Sequence, residues 1–152
     1  MPAPDFIGPG RARRVLYSRP HMEKSRILIV DDDVHLSKLV RLILERTDRH
    51  EVRVENRSRH ALAAARDFRP QLVLLDVDMP GFDGGDVAAQ FRADPSLRDT
   101  PIIFFTSLAR QTAAATEVVK MGGENMLAKP VEPDVLIRCV AAMLLGKPAL
   151  AA

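Results

Sequence analysis

Five side chains close four apolar runs. Asp31 and Asp32 follow ILIV, Asp76 follows LVLL, Thr106 follows IIFF, and Lys129 follows the shorter NMLA. In a parallel α/β sheet the carboxyl ends of the strands converge on one edge. Three carboxylates, a hydroxyl and an ammonium are therefore expected to meet there. Crowded carboxylates repel: at an effective dielectric of about 20, two charges about 5 Å apart cost roughly 3 kcal/mol. A hard divalent cation relieves that repulsion, and Mg²⁺ takes carboxylate oxygens while keeping waters. The set suits a divalent metal, a phosphoryl group and a carboxylate nucleophile. Each residue also has a plainer reading. Asp33 could be an N-cap and the acidic run a solvated loop; Thr106 could be a strand-end cap and Lys129 a surface lysine. An acidic pair and a further aspartate, each ending a buried run, argue against that for the group. Lys129 also precedes Pro130, which holds it extended.

The elements that must position these residues alternate. RILIVD reads as a buried strand. In VHLSKLVRLILER, Leu36, Leu39, Val40, Ile43 and Leu44 recur at helical spacing and predict one apolar face. HEVRVEN alternates and predicts a more exposed strand. SRHALAAARDF predicts an alanine-rich helix ended by Pro70, and QLVLLD a fully apolar strand. MPGFDGG is turn chemistry, with Asp83 a candidate N-cap for a helix over GGDVAAQFRAD. TPIIFFT is the fourth strand, and a helix rich in Thr and Ala is expected near QTAAATEVVKMG. GENMLAK is a short fifth strand. EPDVLIRCVAAMLLG is the last helix, with Pro133 in its first turn and Gly146 at its end. Five βα units imply an α/β fold, a doubly wound five-stranded parallel sheet with right-handed crossovers.

Bulk properties narrow the function classes. A chain of 152 residues that is 47% hydrophobic can bury one sizeable core. Its apolar runs are too short for a membrane span, so no membrane partner is expected. The single cysteine, Cys139, excludes an internal disulfide framework, fits a cytoplasmic location, and is expected to be a buried small residue. The net charge of +2 is uneven. Arg11, Arg13, Arg14, Arg19, Lys24 and Arg26 crowd the first 26 residues against Asp5 and Glu23, leaving the remainder slightly acidic. Residues 1–25 carry four prolines and no apolar periodicity, and read as a disordered basic extension. Met22 stands just before the first strand and is an alternative start. The folded domain is expected over residues 26–146, with a short tail over 147–152. A nucleic-acid partner is not favoured, because the basic segment has no stacking platform. The scattered histidines His21, His35, His50 and His60 show no phosphohistidine or metal spacing.

From about Arg26 to Leu145 the chain resembles the receiver domain of bacterial two-component response regulators, the CheY-like, flavodoxin-like (βα)₅ fold. The matching residues are the acidic pair in ILIVDD, the aspartate in LLDVDMPGFDG, the threonine in FFTS and the lysine in AKP. Any one is weak; four in order are specific. The resemblance implies that Asp76 accepts a phosphoryl group from phosphohistidine on a sensor histidine kinase or phosphotransfer protein. It implies that Asp31, Asp32, Asp76 and the main-chain carbonyl of Asp78 hold Mg²⁺. Lys129 would offset charge on the transferring group. Thr106 would move to bond the phosphoryl oxygen and bias the fold between two states. The Lys129–Pro130 peptide would be cis. A receiver of this kind is not an enzyme. It would signal to a protein target, here unidentified, through the fourth helix, fifth strand and fifth helix, near Gln111 to Leu145. The short alanine-rich end favours stand-alone action over membership of a larger regulator.

Two positions depart from the family pattern. Met126 stands where the family usually has Tyr or Phe, so the usual coupled rotation of threonine and aromatic ring cannot occur as such, although methionine can fill the space. Leu108, two residues past Thr106, and Asp78, two past Asp76, flank the path of a hydrolytic water. Leu108 offers that water no hydrogen bond, which predicts an altered rate of phosphoryl loss, measurable as the phosphoryl half-life of Leu108→Glu against the parent. Two rival classes share parts of this pattern. A phosphatase of the haloacid dehalogenase type also uses a strand-end DxD, as Asp76-Val77-Asp78 does, but there the DxD comes first and the acidic pair last, the reverse of the order here. A phosphorylation-independent binding module on the same fold would be favoured had any of the five residues been missing.

Overall fold

The computed structural model describes residues 22–107, 119–121 and 124–146. β1 (Ser25–Val30), β2 (His50–Glu55), β3 (Leu72–Asp76), β4 (Ile102–Thr106), β5 (Val119–Met121) and β6 (Glu124–Ala128) form one sheet in the order β2-β1-β3-β4-β6-β5. The helices are α1 (Val34–Glu45), α2 (Ala61–Phe68) after a 3₁₀ turn at Ser58–His60, α3 (Gly84–Ala93) and α4 (Pro133–Leu144). Strands β2, β1, β3, β4 and β6 pair in parallel, giving the expected α/β fold with five parallel strands. The strand order reverses between β1 and β3. That is where the crossovers part to opposite faces and a crevice opens at the carboxyl ends.

Side chains alternate across the pleat, so each interior strand feeds two cores. On one face Ile27, Ile29, Leu74 and Phe105 pack with Val40 and Leu44 of α1 and Leu136 of α4. On the other, Leu28, Val30, Leu75 and Phe104 pack with the alanines of α2 and with Val87 and Phe91 of α3. Small Ala61, Ala64 and Ala65 let α2 lie close to the sheet, and Phe91, fully buried, fills the space beside it. Full burial of such a ring is worth about 1.5–3 kcal/mol. Cys139 is buried in the first core, as expected. β2, with its alternating pattern, lies at the sheet edge.

Three expectations are corrected. Leu39 was expected on the buried face of α1 but is 54% exposed, with Leu42 at 60%. The buried stripe is Ser37, Val40 and Leu44, and Leu39 lies about 100° around the helix from Val40. The helix expected near residues 111–122 falls mostly outside the described residues. Its Val119–Met121 form β5, a short strand antiparallel to β6, with Met121 facing Glu124 in register. Ser25, expected in the extension, starts β1 and pairs with His50. Residues 1–21 and 147–152 lie outside the described residues, as does Leu108.

Candidate functional site

Asp31 follows β1 directly and Asp76 is the last residue of β3, so the β1/β3 pairing carries both to the crevice. Both are buried, while Asp32 is exposed at the mouth. One carboxylate oxygen from each of Asp31, Asp32 and Asp76 lies within 4.8 Å of the others. Lys129 reaches in from the end of β6: its Nζ donates to Asp31 Oδ2 at 2.6 Å and stands 3.2 Å from Asp76 Oδ1. The ammonium also lies 5.2 Å from the centre of the Phe105 ring. Asp76 is in register with Phe105, so Thr106, buried, sits one step further along the neighbouring strand. The Lys129 amide donates to the Thr106 carbonyl at 3.0 Å, tying those two strand ends together, and the Lys129–Pro130 peptide is cis.

Burial pushes the Asp76 carboxyl up to about 6, with the charge of Asp31 adding to it and Lys129 opposing. Burial alone would lower the Lys129 ammonium, but its hydrogen bond and charge contacts with Asp31 and then Asp76 outweigh this and raise it. One cation thus faces two buried acids and an exposed third. That surplus of negative oxygen, all hard donors on fixed backbone, fits a divalent cation of the Mg²⁺ kind.

The local sequence builds this geometry by division of labour within DDD. The Asp31 side chain accepts the Asp33 amide at 2.9 Å. Asp33 is the N-cap of α1, its Oδ1 accepting the Leu36 amide at 2.9 Å. The capping reading thus holds for Asp33 and leaves its two neighbours for the pocket. After β3, Asp83 and Asp86 form a capping box that starts α3. Gly84 lies against the Asp76 carbonyl so closely that a Cβ would overlap it and meet Val77 Cα at 2.9 Å. Its amide donates to the Val77 carbonyl at 2.9 Å. The side chain of Asp78 is exposed in this loop. Met126, half-buried, is in register with Phe104 and packs on the second core.

Sequence reading missed three residues beside the pocket. Asn56, after β2, donates from Nδ2 to the Asp31 carbonyl at 2.7 Å and to Ser37 Oγ at 2.9 Å. Ser37 Oγ in turn donates to the Asp33 carbonyl at 2.8 Å. Ser58 Oγ bonds the loop after β3. Apart from the local Ser37–Asp33 bond, each contact spans 19 to 25 residues of sequence, so no local spacing reveals it. Gly84 carried a signal in the GG of GFDGG, read only as turn chemistry. Among the described residues no other group of three His, Cys, Asp or Glu could hold a metal, and no helix is long and apolar enough to cross a membrane.

Residues 27–141 match the family described as response regulator receiver domain. The chain is 35% identical over 121 residues to the DNA-binding response regulator MtrA of Mycobacterium tuberculosis, 80% of this chain but only about half (51%) of that protein. It is 30% identical to protein PilH of Pseudomonas aeruginosa, covering 80% of this chain and 99% of PilH. Among solved structures, the chemotaxis protein CheY4 of Vibrio cholerae superposes with a TM-score of 0.65 at 26% identity, over 78% of this chain and 98% of that one. A response regulator from Chloroflexus aurantiacus superposes at 0.66 with 29% identity, over 81% and 99%. With the acidic crevice, the AKP lysine and the matched span in agreement, the chain belongs to the response regulator receiver family of two-component signalling.

Proposed function

We propose that this receiver accepts a phosphoryl group on Asp76 from a sensor histidine kinase or phosphotransfer protein, in a Mg²⁺-dependent reaction in the cytoplasm, and acts alone through protein contacts. The observation that carries the reading is the meeting of three carboxylates within 4.8 Å beside one half-buried ammonium. Asp31, Asp32 and Asp76, with the Asp78 carbonyl, would hold the metal. When bound, it supplies positive charge for the phosphoryl oxygens and keeps Asp76 ionised. An Asp76 oxygen attacks phosphorus as the bond to the donor imidazole breaks. The electron pair stays on the ring nitrogen, which takes a proton from solvent. Lys129, released from Asp76, moves its ammonium to a phosphoryl oxygen, and the Thr106 hydroxyl donates to another. Stand-alone action is supported by the likeness to PilH along almost its whole length. DNA binding belongs to the name of MtrA, of which this chain matches about half, and is said of that protein alone.

Intact mass after incubation with a small-molecule phosphoryl donor tests this. The parent should gain one phosphoryl group with Mg²⁺ and none without; Asp76→Asn should gain none. The alternative reading is a module on the same fold that binds its target without phosphorylation. No gain in the parent would select it.

A further inference from the structure

The loop from Val77 to Asp83 carries the Asp78 carbonyl and is anchored at both ends. Gly84 is pressed onto the backbone of Asp76 and Val77 at one end, and the Asp83–Asp86 capping box closes the other. Among the described residues, the hydrogen bonds at the middle of the loop go to one side chain on another element. Ser58 Oγ donates to the Pro80 carbonyl at 2.9 Å and accepts the Phe82 amide at 3.0 Å. The hydroxyl thus serves as donor and acceptor at once, which no apolar side chain can imitate. Ser58 is buried, so water does not substitute freely for it. The loop is shaped to reach it. Gly81 has a φ of +86°, and a Cβ there would stand 3.3 Å from Ser58 Oγ and from Arg59 Nε. Arg59 in turn lies over the Phe82 ring, 5.2 Å from its centre. Two residues before Ser58, Asn56 holds the Asp31 carbonyl. One short turn after β2 therefore grips both loops of the acidic pocket, the first through Asn56 and the second through Ser58.

We infer that Ser58 is a positioning residue for the metal and phosphoryl site, holding in place the loop that carries the Asp78 main-chain carbonyl. The inference rests on the receiver reading above and adds a residue that acts through the loop rather than on the phosphoryl group. Partners that orient metal ligands typically change metal affinity about 10–100-fold when removed. Ser58→Ala should weaken Mg²⁺ binding by roughly 10-fold, measured by calorimetric titration of the unphosphorylated chain. Its labelling rate should fall similarly at low Mg²⁺ and recover at saturating Mg²⁺. Ser58→Thr, which keeps the hydroxyl, should stay within about 3-fold of the parent, well inside the loss for a removed partner. Equal Mg²⁺ affinity in Ser58→Ala and the parent would overturn the inference, and so would equal losses in the alanine and threonine variants, which would mark a packing effect. Should Ser58→Ala fail to fold, hydrogen exchange on the parent decides. The Phe82 amide should be protected and become more so with Mg²⁺, and an unchanged rate overturns the inference. A parent that binds Mg²⁺ but is never labelled would count against the receiver reading alone, since affinity and exchange do not need the phosphoryl group.

Discussion

At the carboxyl end of the sheet, Asp31 and Asp76 are buried against the Lys129 ammonium, with Asp32 open to solvent beside them. At the amino end, His50 of β2 is buried too, but its Nδ1 meets no hydrogen-bond partner among the described residues. It lies beside a cavity of about 390 Å³ lined by Met22, Ala141, Leu144 and Leu145 and, on its polar side, by Glu23, Asp48 and Arg49. Burial, and then Arg49, holds the His50 imidazole below its usual range. One end keeps charge and gathers opposite charge to meet it; the other gives charge up. Desolvation acts at both, and what differs is whether neighbouring ions compensate it. The compensated end retains an excess of negative oxygen, which equips it to take a cation.

The largest effect should come from breaking the compensation. Lys129→Met leaves two like charges buried together and should cost about 3 kcal/mol in metal-free buffer, since removing one partner of a buried pair strands the other. Mg²⁺ should then raise the melting temperature of the variant more than that of the parent. An equal rise in both would mean that the ammonium and the metal do not compete for the same oxygens.

The reverse change is smaller. Asp76→Asn removes the buried acid whose carboxyl is pushed up to about 6 and should stabilise the metal-free chain by about 2 kcal/mol. Asp32→Asn, at an exposed acid, should gain no more than about 0.5 kcal/mol. Denaturant unfolding of both variants without metal checks the ranking, and equal gains would show that burial does not set it.

The smallest effect compares the two ends directly by pH. Asp76 is raised above the usual 3.8, so its contribution to stability is fully present below about 3.8 and is lost as pH rises through about 6. His50 is lowered from 6.5, so its contribution is present above 6.5 and lost as pH falls through its lowered value. Between these limits the two ends oppose each other. Melting in Mg²⁺-free buffer at acid and neutral pH should show Asp76→Asn gaining stability as pH rises. His50→Phe should lose it. Slopes of the same sign in both variants would break the comparison.

Much of the site is legible in the chain because its positions are strand ends, and a strand end is where an apolar run stops. Asp31, Asp76, Thr106 and Lys129 each follow such a run, and parallel pairing then brings them to one edge. The Asp83 cap was legible for a similar reason, being one short polar residue before a helix. The less legible parts involve choices between near-equivalent positions. Leu39 and Val40 are both apolar neighbours on one helix, and the sheet accepts only Val40. Val119–Met121 sit in a stretch rich in Thr and Ala, and the free edge of β6 draws them into a strand.

The α/β alternation, the order of the strand-end residues and, from that order, the receiver family can all be read along the chain. These follow from local apolar patterning and from the rule that parallel strands share one carboxyl edge. Packing in three dimensions sets Lys129 closer to Asp31 than to Asp76, at 2.6 Å against 3.2 Å. It also decided that Asp33 caps a helix while its neighbours serve the pocket, and that Asn56 and Ser58 hold the two pocket loops. Those outcomes depend on distances between groups remote in sequence, which exist only once the sheet has set its register.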